Sequence, residues 1–274
     1  MTIQPFLRCD IPAFISLAAQ EGWIAERWEF DFLLATFPKG CFCVRDSEGK
    51  GIAFVTSLRH ERSAWIGNLI VAAERRGQRI GEGLFVRALE ALRSSGAETF
   101  WLTASKLGKT LYEKHGFSSI DTIMRWTGAG RQRFTPHPQD VGGSDARTLH
   151  NSFDCLAWGD SRSVLLKAVA ERGEEISGAT GFMVVQPCGD AWQLGPFSAM
   201  DSDMAEQLLD KALGTVPSGT PIYCDVPASN RAALRLFNRR RMRITGSNEL
   251  MYAGRKPDYR PEYLYGLATM GSCG

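Results

Sequence analysis

The stretch Ile66-Gly67-Asn68-Leu69-Ile70-Val71, continuing through Ala72-Ala73-Glu74-Arg75 into Arg76-Gly77-Gln78-Arg79-Ile80-Gly81-Glu82-Gly83, decides how this chain is read. A β-branched run enters a glycine-rich turn, and the turn opens directly into a helix. From Ile80 onward Leu84, Ala88, Leu89 and Leu92 fall at helical spacing, and Gly96 stands just past the end. Such a turn presents unpaired backbone N–H groups at a helix N-terminus, where donors and dipole together favour a phosphate or pyrophosphate. Gly77, Gly81 and Gly83 let a ligand approach the backbone, and Arg76 and Arg79 add positive charge. No Gly-Lys-Ser/Thr follows, so this is not a P-loop. The preceding strand belongs to an antiparallel meander, which argues against a dinucleotide fingerprint.

Upstream of that stretch, residues 11–20 and 28–37 carry apolar residues at helical spacing, separated by Glu21-Gly22-Trp23. Residues 40–45, 51–58 and 64–71 read as three strands. Downstream, 99–103 reads as a strand, 108–115 as a helix and 119–126 as a strand, closing a first domain over residues 1–127. Residues 128–143 have the turn-forming, apolar-poor composition of a linker. A second unit over 144–274 repeats the order with a helix at 161–172, strands at 179–185 and 192–196, a helix at 202–213 and a strand at 222–225. Its next helix, Asn230 to Phe237, aligns with Ser105 to Tyr112 when Leu236 is placed on Leu111, which suggests a degenerate internal duplication. The fold class expected is α/β, or α+β, with a mixed sheet.

Composition bounds the function. The 274 residues carry 32 Lys plus Arg against 30 Asp plus Glu, a net charge of +2, so no polyanion-binding excess points to nucleic acid. No run approaches the ~18 apolar residues of a membrane helix, and Met1 to Asp10 lacks a signal-peptide core. Seven cysteines without zinc spacing fit reduced thiols in a cytoplasm and no metal site.

With these residues in place, the chain resembles the GNAT (GCN5-related) N-acetyltransferase family. Arg76 and Gly81 match the ends of its Gln/Arg-x-x-Gly-x-Gly/Ala signature, and Arg79 stands where the interior glycine is usual. Leu69-Ile70-Val71 is similar to the family's splayed strand, and Leu111-Tyr112-Glu113-Lys114-His115-Gly116-Phe117 to its second cofactor-side motif. The two-part layout resembles bacterial tandem GNAT proteins, with a divergent second domain that lacks the loop and has Phe237 for the tyrosine.

The resemblance implies acetyl-CoA as co-substrate, held by Leu69, Ile70, Val71, residues 76–83, Ser105, Gly108 and Tyr112. It implies direct attack by the amine of a small molecule, with Tyr112 protonating the departing sulfur or else only packing beside the cofactor. No acid or histidine lies within residues 66–71, so Glu21 and His60 are the candidate bases, and Glu21, Trp23 and Asn68 border the acceptor. Asn230 is read as a helix cap and Arg239-Arg240-Arg241 as a solvated helix end. A cytoplasmic protein is expected, a homodimer being compatible with it. The alternatives are a non-catalytic acetyl-CoA sensor and an acetyltransferase acting on protein amines.

Overall fold

The computed structural model describes residues 2–131 and 144–274. The first half runs β1 (Ile3–Pro5), α1 (Ile11–Gln20), α2 (Arg27–Thr36), β2 (Phe42–Arg45), β3 (Gly51–Arg59), β4 (Ser63–Val71), α3 (Ile80–Ser94), β5 (Thr99–Ala104), α4 (Lys109–Lys114) and β6 (Ser118–Ala129). The second runs α5 (Ser144–Trp158), α6 (Ser163–Arg172), β7 (Glu174–Gly178), β8 (Gly181–Cys188), β9 (Ala191–Ala199), α7 (Ser202–Thr215), β10 (Pro221–Pro227), α8 (Arg231–Arg239), β11 (Arg243–Gly254) and β12 (Leu264–Gly266). A mixed α/β architecture with a mixed sheet, as read from the sequence, is what the chain adopts. Of the linker span 128–143, residues 132–143 lie outside the described residues; Gly128 and Ala129 end β6, paired with Ile222 and Pro221. No helix among the described residues is long and apolar enough to cross a membrane.

Among the described residues all twelve strands join one sheet, in the order β1-β2-β3-β4-β5-β11-β6-β10-β9-β8-β7, with β12 against β9. The halves exchange strands at the centre. β11 of the second half lies between β5 and β6 of the first, and β6 in turn pairs with β10. Their mutual antiparallel ladder, Arg243↔Thr127 through Tyr252↔Ser118, makes the seam of the molecule.

Each half buries the apolar stripe of its long helix on the sheet. Leu84, Phe85, Ala88, Leu89 and Leu92 of α3 pack against Val55, Ile66 and Leu102, while Leu208, Leu209, Ala212 and Leu213 of α7 pack against Val185, Ile222 and Val226. Each fully buried large side chain contributes roughly 1.5–3 kcal/mol. The opposite face carries α1 and α2, whose Phe14, Phe30 and Leu33 meet Phe54 and Ile70, and also Leu165, Val169 and Cys273. α7 starts on Asp201, whose carboxylate accepts the Met204 N–H at 2.8 Å, and α8 on Asn230, whose Oδ1 accepts from Ala233 at 2.9 Å. The basic run that ends α8 is committed to the protein: Arg240 holds Glu206 and Asp210 of α7 at 2.6 Å.

Two parallel strand pairs diverge after a short contact. β4 and β5 pair only through Ser63–Trp65 and Thr99–Trp101, and β9 and β10 only through Trp192 and Gln193 with Ile222 and Tyr223. Into the second gap goes β12, pairing with Phe197 and Ser198 of β9, while Leu267 N–H donates to Asp225 O at 2.9 Å and the Cys224 thiol lies against Tyr265 O. The chain then crosses toward the first gap. There Gly271 O accepts from Trp65 Nε1 (3.2 Å) and Thr103 Oγ1 (3.4 Å), and a Cβ on Gly67 would overlap the Ser272 carbonyl.

Candidate active site

The open part of the first gap is a cleft of about 230 Å³, lined by both halves. β4 forms one wall, and it is irregular there. The β3–β4 register shifts between Phe54/Ile70 and Thr56/Gly67, and Asn68 takes φ 55°, a left-handed value that asparagine tolerates better than most residues. The bulge turns the Asn68 side chain toward α2, where its Nδ2 donates to Glu29 Oε1 at 2.6 Å and to Thr56 Oγ1 at 3.1 Å.

Glu29 is the residue the sequence reading missed. It lies on the buried face of α2, and burial raises its carboxyl from 4.5 to about 7, against the opposing hydrogen bonds from Asn68 and Ser272. A carboxyl so placed exchanges protons near neutrality. Its neighbour Glu26 is already committed, to Arg172 and to Trp28 Nε1 at 3.3 Å. The available signal was an acid interleaved with Phe30 and Leu33 at core spacing, together with an asparagine interrupting an apolar strand.

Tyr112 also lines the cleft, on α4. Its ring packs edge-on to Phe85 at 5.1 Å, and burial pushes its phenol up to about 12, so it stays protonated through the neutral range. Ser105, whose Oγ accepts the Gly108 N–H at 3.2 Å, fixes the turn that starts this helix, and a Cβ on Gly108 would press on the Tyr112 ring.

Residues 76–83 form the entrance to α3, exposed over 76–79 and half-buried from Ile80 to Gly83. The helix has no side-chain cap, so the N–H groups of its first turn are open. Arg79 is the N-cap at φ 60°, ψ 15°. The interior position of the signature is therefore a left-handed one, which explains the glycine usual there and puts a conformational cost of about 1–2 kcal/mol on an arginine. Gly77 is also left-handed, with open space where a Cβ would sit, and Gly81 and Gly83 lie under Val71 and Ile3.

Not every expected residue reaches the cleft. Trp23, Asn68 and Leu69 line it; Glu21 instead pairs with Arg76 Nη2 at 2.6 Å on the rim of the loop. His60 is outside it, in the turn before β4, where burial first and the Arg162 charge second lower it to about 3. Ile70 points into the α1–α2 core, while Val71 packs on the α3 side.

Two family models described as Acetyltransferase (GNAT) domain match residues 38–119 and 151–266, one in each half and together most of the chain. The chain belongs to the GNAT acetyltransferase family. It is accordingly a transferase of the acyl-transfer type, with two GNAT units in tandem. A crystal structure of an acetyltransferase from Pyrococcus horikoshii superposes with a TM-score of 0.84 at 22% identity, covering 99% of this chain and 95% of that one. A GCN5-related N-acetyltransferase from Sphaerobacter thermophilus gives 0.68 at 18%, covering 94% and 98%. At these identities the likeness concerns the fold. In sequence, the chain is 23% identical over 271 residues to the holothin acyltransferase of a Pseudoalteromonas strain, covering 91% of this chain and 88% of that one.

Proposed function

We propose that this GNAT protein transfers an acetyl group from acetyl-CoA to the amine of a small molecule, with Glu29 as the general base. The observation that carries the proposal is the placement of Glu29, a carboxyl titrating near 7, in the same cleft as Tyr112 and the bulged strand β4. Acetyl-CoA supplies an activated acyl carbon. The open first turn of α3 and its loop suit the pyrophosphate, because donors, dipole and the Arg79 charge converge there. Beyond Trp65 the edge of β4 that faces β5 offers backbone groups to an extended thioester arm.

As the amine nitrogen bonds to the acyl carbon and the carbon–sulfur bond breaks, one proton leaves nitrogen, and the sulfur departs as a thiolate that takes its proton from solvent after release. Glu29 accepts the proton from nitrogen. Tyr112 donates a hydrogen bond to the departing thiolate; a phenol near 12 facing a thiol near ~8.5 makes complete transfer uphill by about 5 kcal/mol, so stabilisation of the sulfur charge is its contribution. The cleft, small beside the ~300–1,000 Å³ usual for ligand pockets, favours a compact acceptor over a protein chain. The relationship to an enzyme named for acylating holothin points the same way.

A thiol-release assay across an amine panel, run with Glu29→Gln and Tyr112→Phe, tests this. kcat/KM in the parent protein should rise through pH 7, and Glu29→Gln should lower it about 100-fold or more and flatten the profile. Folding raises the Glu29 pKa, so the native state is penalised as pH climbs past 4.5, fully so above 7, by about 3 kcal/mol. The same variant should therefore be more stable than the parent at pH 8 and no more stable at pH 4. Unchanged turnover in Glu29→Gln removes it as the base; tight acetyl-CoA binding without thiol release for any amine supports the sensor alternative.

A further inference from the structure

Arg125 entered no part of the mechanism above, yet it lines the same cleft from the seam between the halves. It stands on β6 opposite Asp225 of β10 and holds that carboxylate with both Nε (2.8 Å) and Nη2 (2.7 Å), while Nη2 also approaches Met270 O at 3.4 Å. Nη1 has no hydrogen-bond partner among the described residues. The Arg125 side chain keeps 31% exposure whereas that of Asp225 keeps 5%, so the buried acid fixes the plane of a guanidinium whose remaining edge is open. Of the nearby amides, Gln186 Nε2 already donates to Gly195 O and Ala268 O, and Gln193 Nε2 approaches Leu267 O at 3.4 Å.

We propose that Arg125 is an acceptor-recognition residue that selects amines carrying a neutral carbonyl oxygen a few bonds from the nitrogen, as in an amino-amide or amino-lactam. The inference rests on the acyl-transfer reading of this cleft. Its chemistry follows from charge. Arg125 is already neutralised by Asp225 and Arg172 by Glu26, so a carboxylate on the acceptor would face Glu29 with no free cation to balance it. A neutral carbonyl oxygen accepts an Nη1–H without that cost. A second cation on the acceptor would face the guanidinium.

Its spacing follows from the segment that crosses the cleft floor. Met270 O touches Arg125, and the Ser272 side chain hydrogen-bonds Glu29, two residues further on. Two residues span at most about 7 Å even when fully extended, and this segment bends at Gly271, whose φ is 93°. A compact acceptor, its nitrogen and carbonyl oxygen only a few bonds apart, can therefore meet Glu29 and Arg125 at once.

The test uses matched primary amines sharing one carbon skeleton and bearing an amide carbonyl, a carboxylate or a methylene at the same position. Thiol release is measured with the parent protein and with Arg125→Lys, which keeps the charge and loses the fork. Equilibrium binding of the amino-amide in the presence of CoA is measured alongside. In the parent, the amide should exceed the methylene analogue in kcat/KM by about 10- to 100-fold, the size of one charge-assisted hydrogen bond, and should exceed the carboxylate as well. That preference should shrink below about 3-fold in Arg125→Lys, and amide binding should weaken at least 10-fold. Equal rates for amide and methylene in the parent overturn the proposal without any variant having to fold. A preference for the carboxylate overturns its neutral-carbonyl form. Arg125-dependent binding of the amino-amide with no thiol release for any amine would uphold the subsite and count against acetyl transfer itself.

Discussion

In the first half β4 and β5 pair over three positions and then part around a cleft; in the second, β9 and β10 pair over two and part around β12. The helix that follows each gap differs in the same sense. α3 begins on Arg79 with no side-chain cap, whereas α7 begins on Asp201, whose carboxylate caps the helix and also accepts from Thr180 Oγ1 at 2.8 Å. One helix N-terminus is left for an anion; the other is occupied by the protein's own anion. The second GNAT unit thus differs from the first in two features at once: the gap between its strands is filled, and the helix that follows is capped. The segment that fills the second gap continues as the floor of the first.

Glycines beneath that segment allow the comparison to be broken. Gly67→Ala and Gly195→Ala each put a methyl into a backbone carbonyl, of Ser272 and Leu267 respectively. Each should cost about 2–3 kcal/mol in denaturant unfolding. Gly67→Ala should also abolish thiol release, whereas Gly195→Ala should leave the KM for acetyl-CoA unchanged at temperatures where it is folded. An equal loss of acetyl-CoA affinity in both would show that the two gaps are not functionally distinct.

Replacing Asp201 by Ala removes the α7 cap and should cost about 1 kcal/mol, read as a lower Tm, with no new acyl-CoA site detected by calorimetry because β12 still fills the gap. Appearance of a second site would mean that the capping acid alone excludes the ligand. The smallest effect is expected at Arg79. Arg79→Gly relieves the left-handed strain and should raise stability by about 0.5–1 kcal/mol, while removing a charge from the loop should weaken the salt dependence of acetyl-CoA binding.

Much of this was legible in the order of residues. Local periodicity placed α3, and the antiparallel strands before it were read correctly, because a period of two or of 3.6 is set by neighbours a few positions apart. The match of Ala233 and Leu236 with Gly108 and Leu111 exposed the duplication for the same reason. Strands β1, β7 and β12 and helix α5 were not marked, each being short or weakly patterned beside stronger signals. At the site, Tyr112 and Asn68 reach the cleft as read, but His60 faces Arg162 and Glu21 joins Arg76. Direction along a turn is a matter of tertiary packing, which residue type alone does not carry.

By itself the sequence determined the family, the tandem layout, the loop at Arg76 to Gly81 and the missing loop in the second half, since each is a contiguous run whose chemistry is local. Only the tertiary structure decided that β11 and β6 exchange between halves, that β12 closes the second gap, and that Glu29, Arg125 and Ser272 share one cleft. Those residues lie far apart in the chain. What makes Glu29 titrate near 7 is the exclusion of water around it, and no residue excludes water from a carboxyl until the distant segments that cover it have packed.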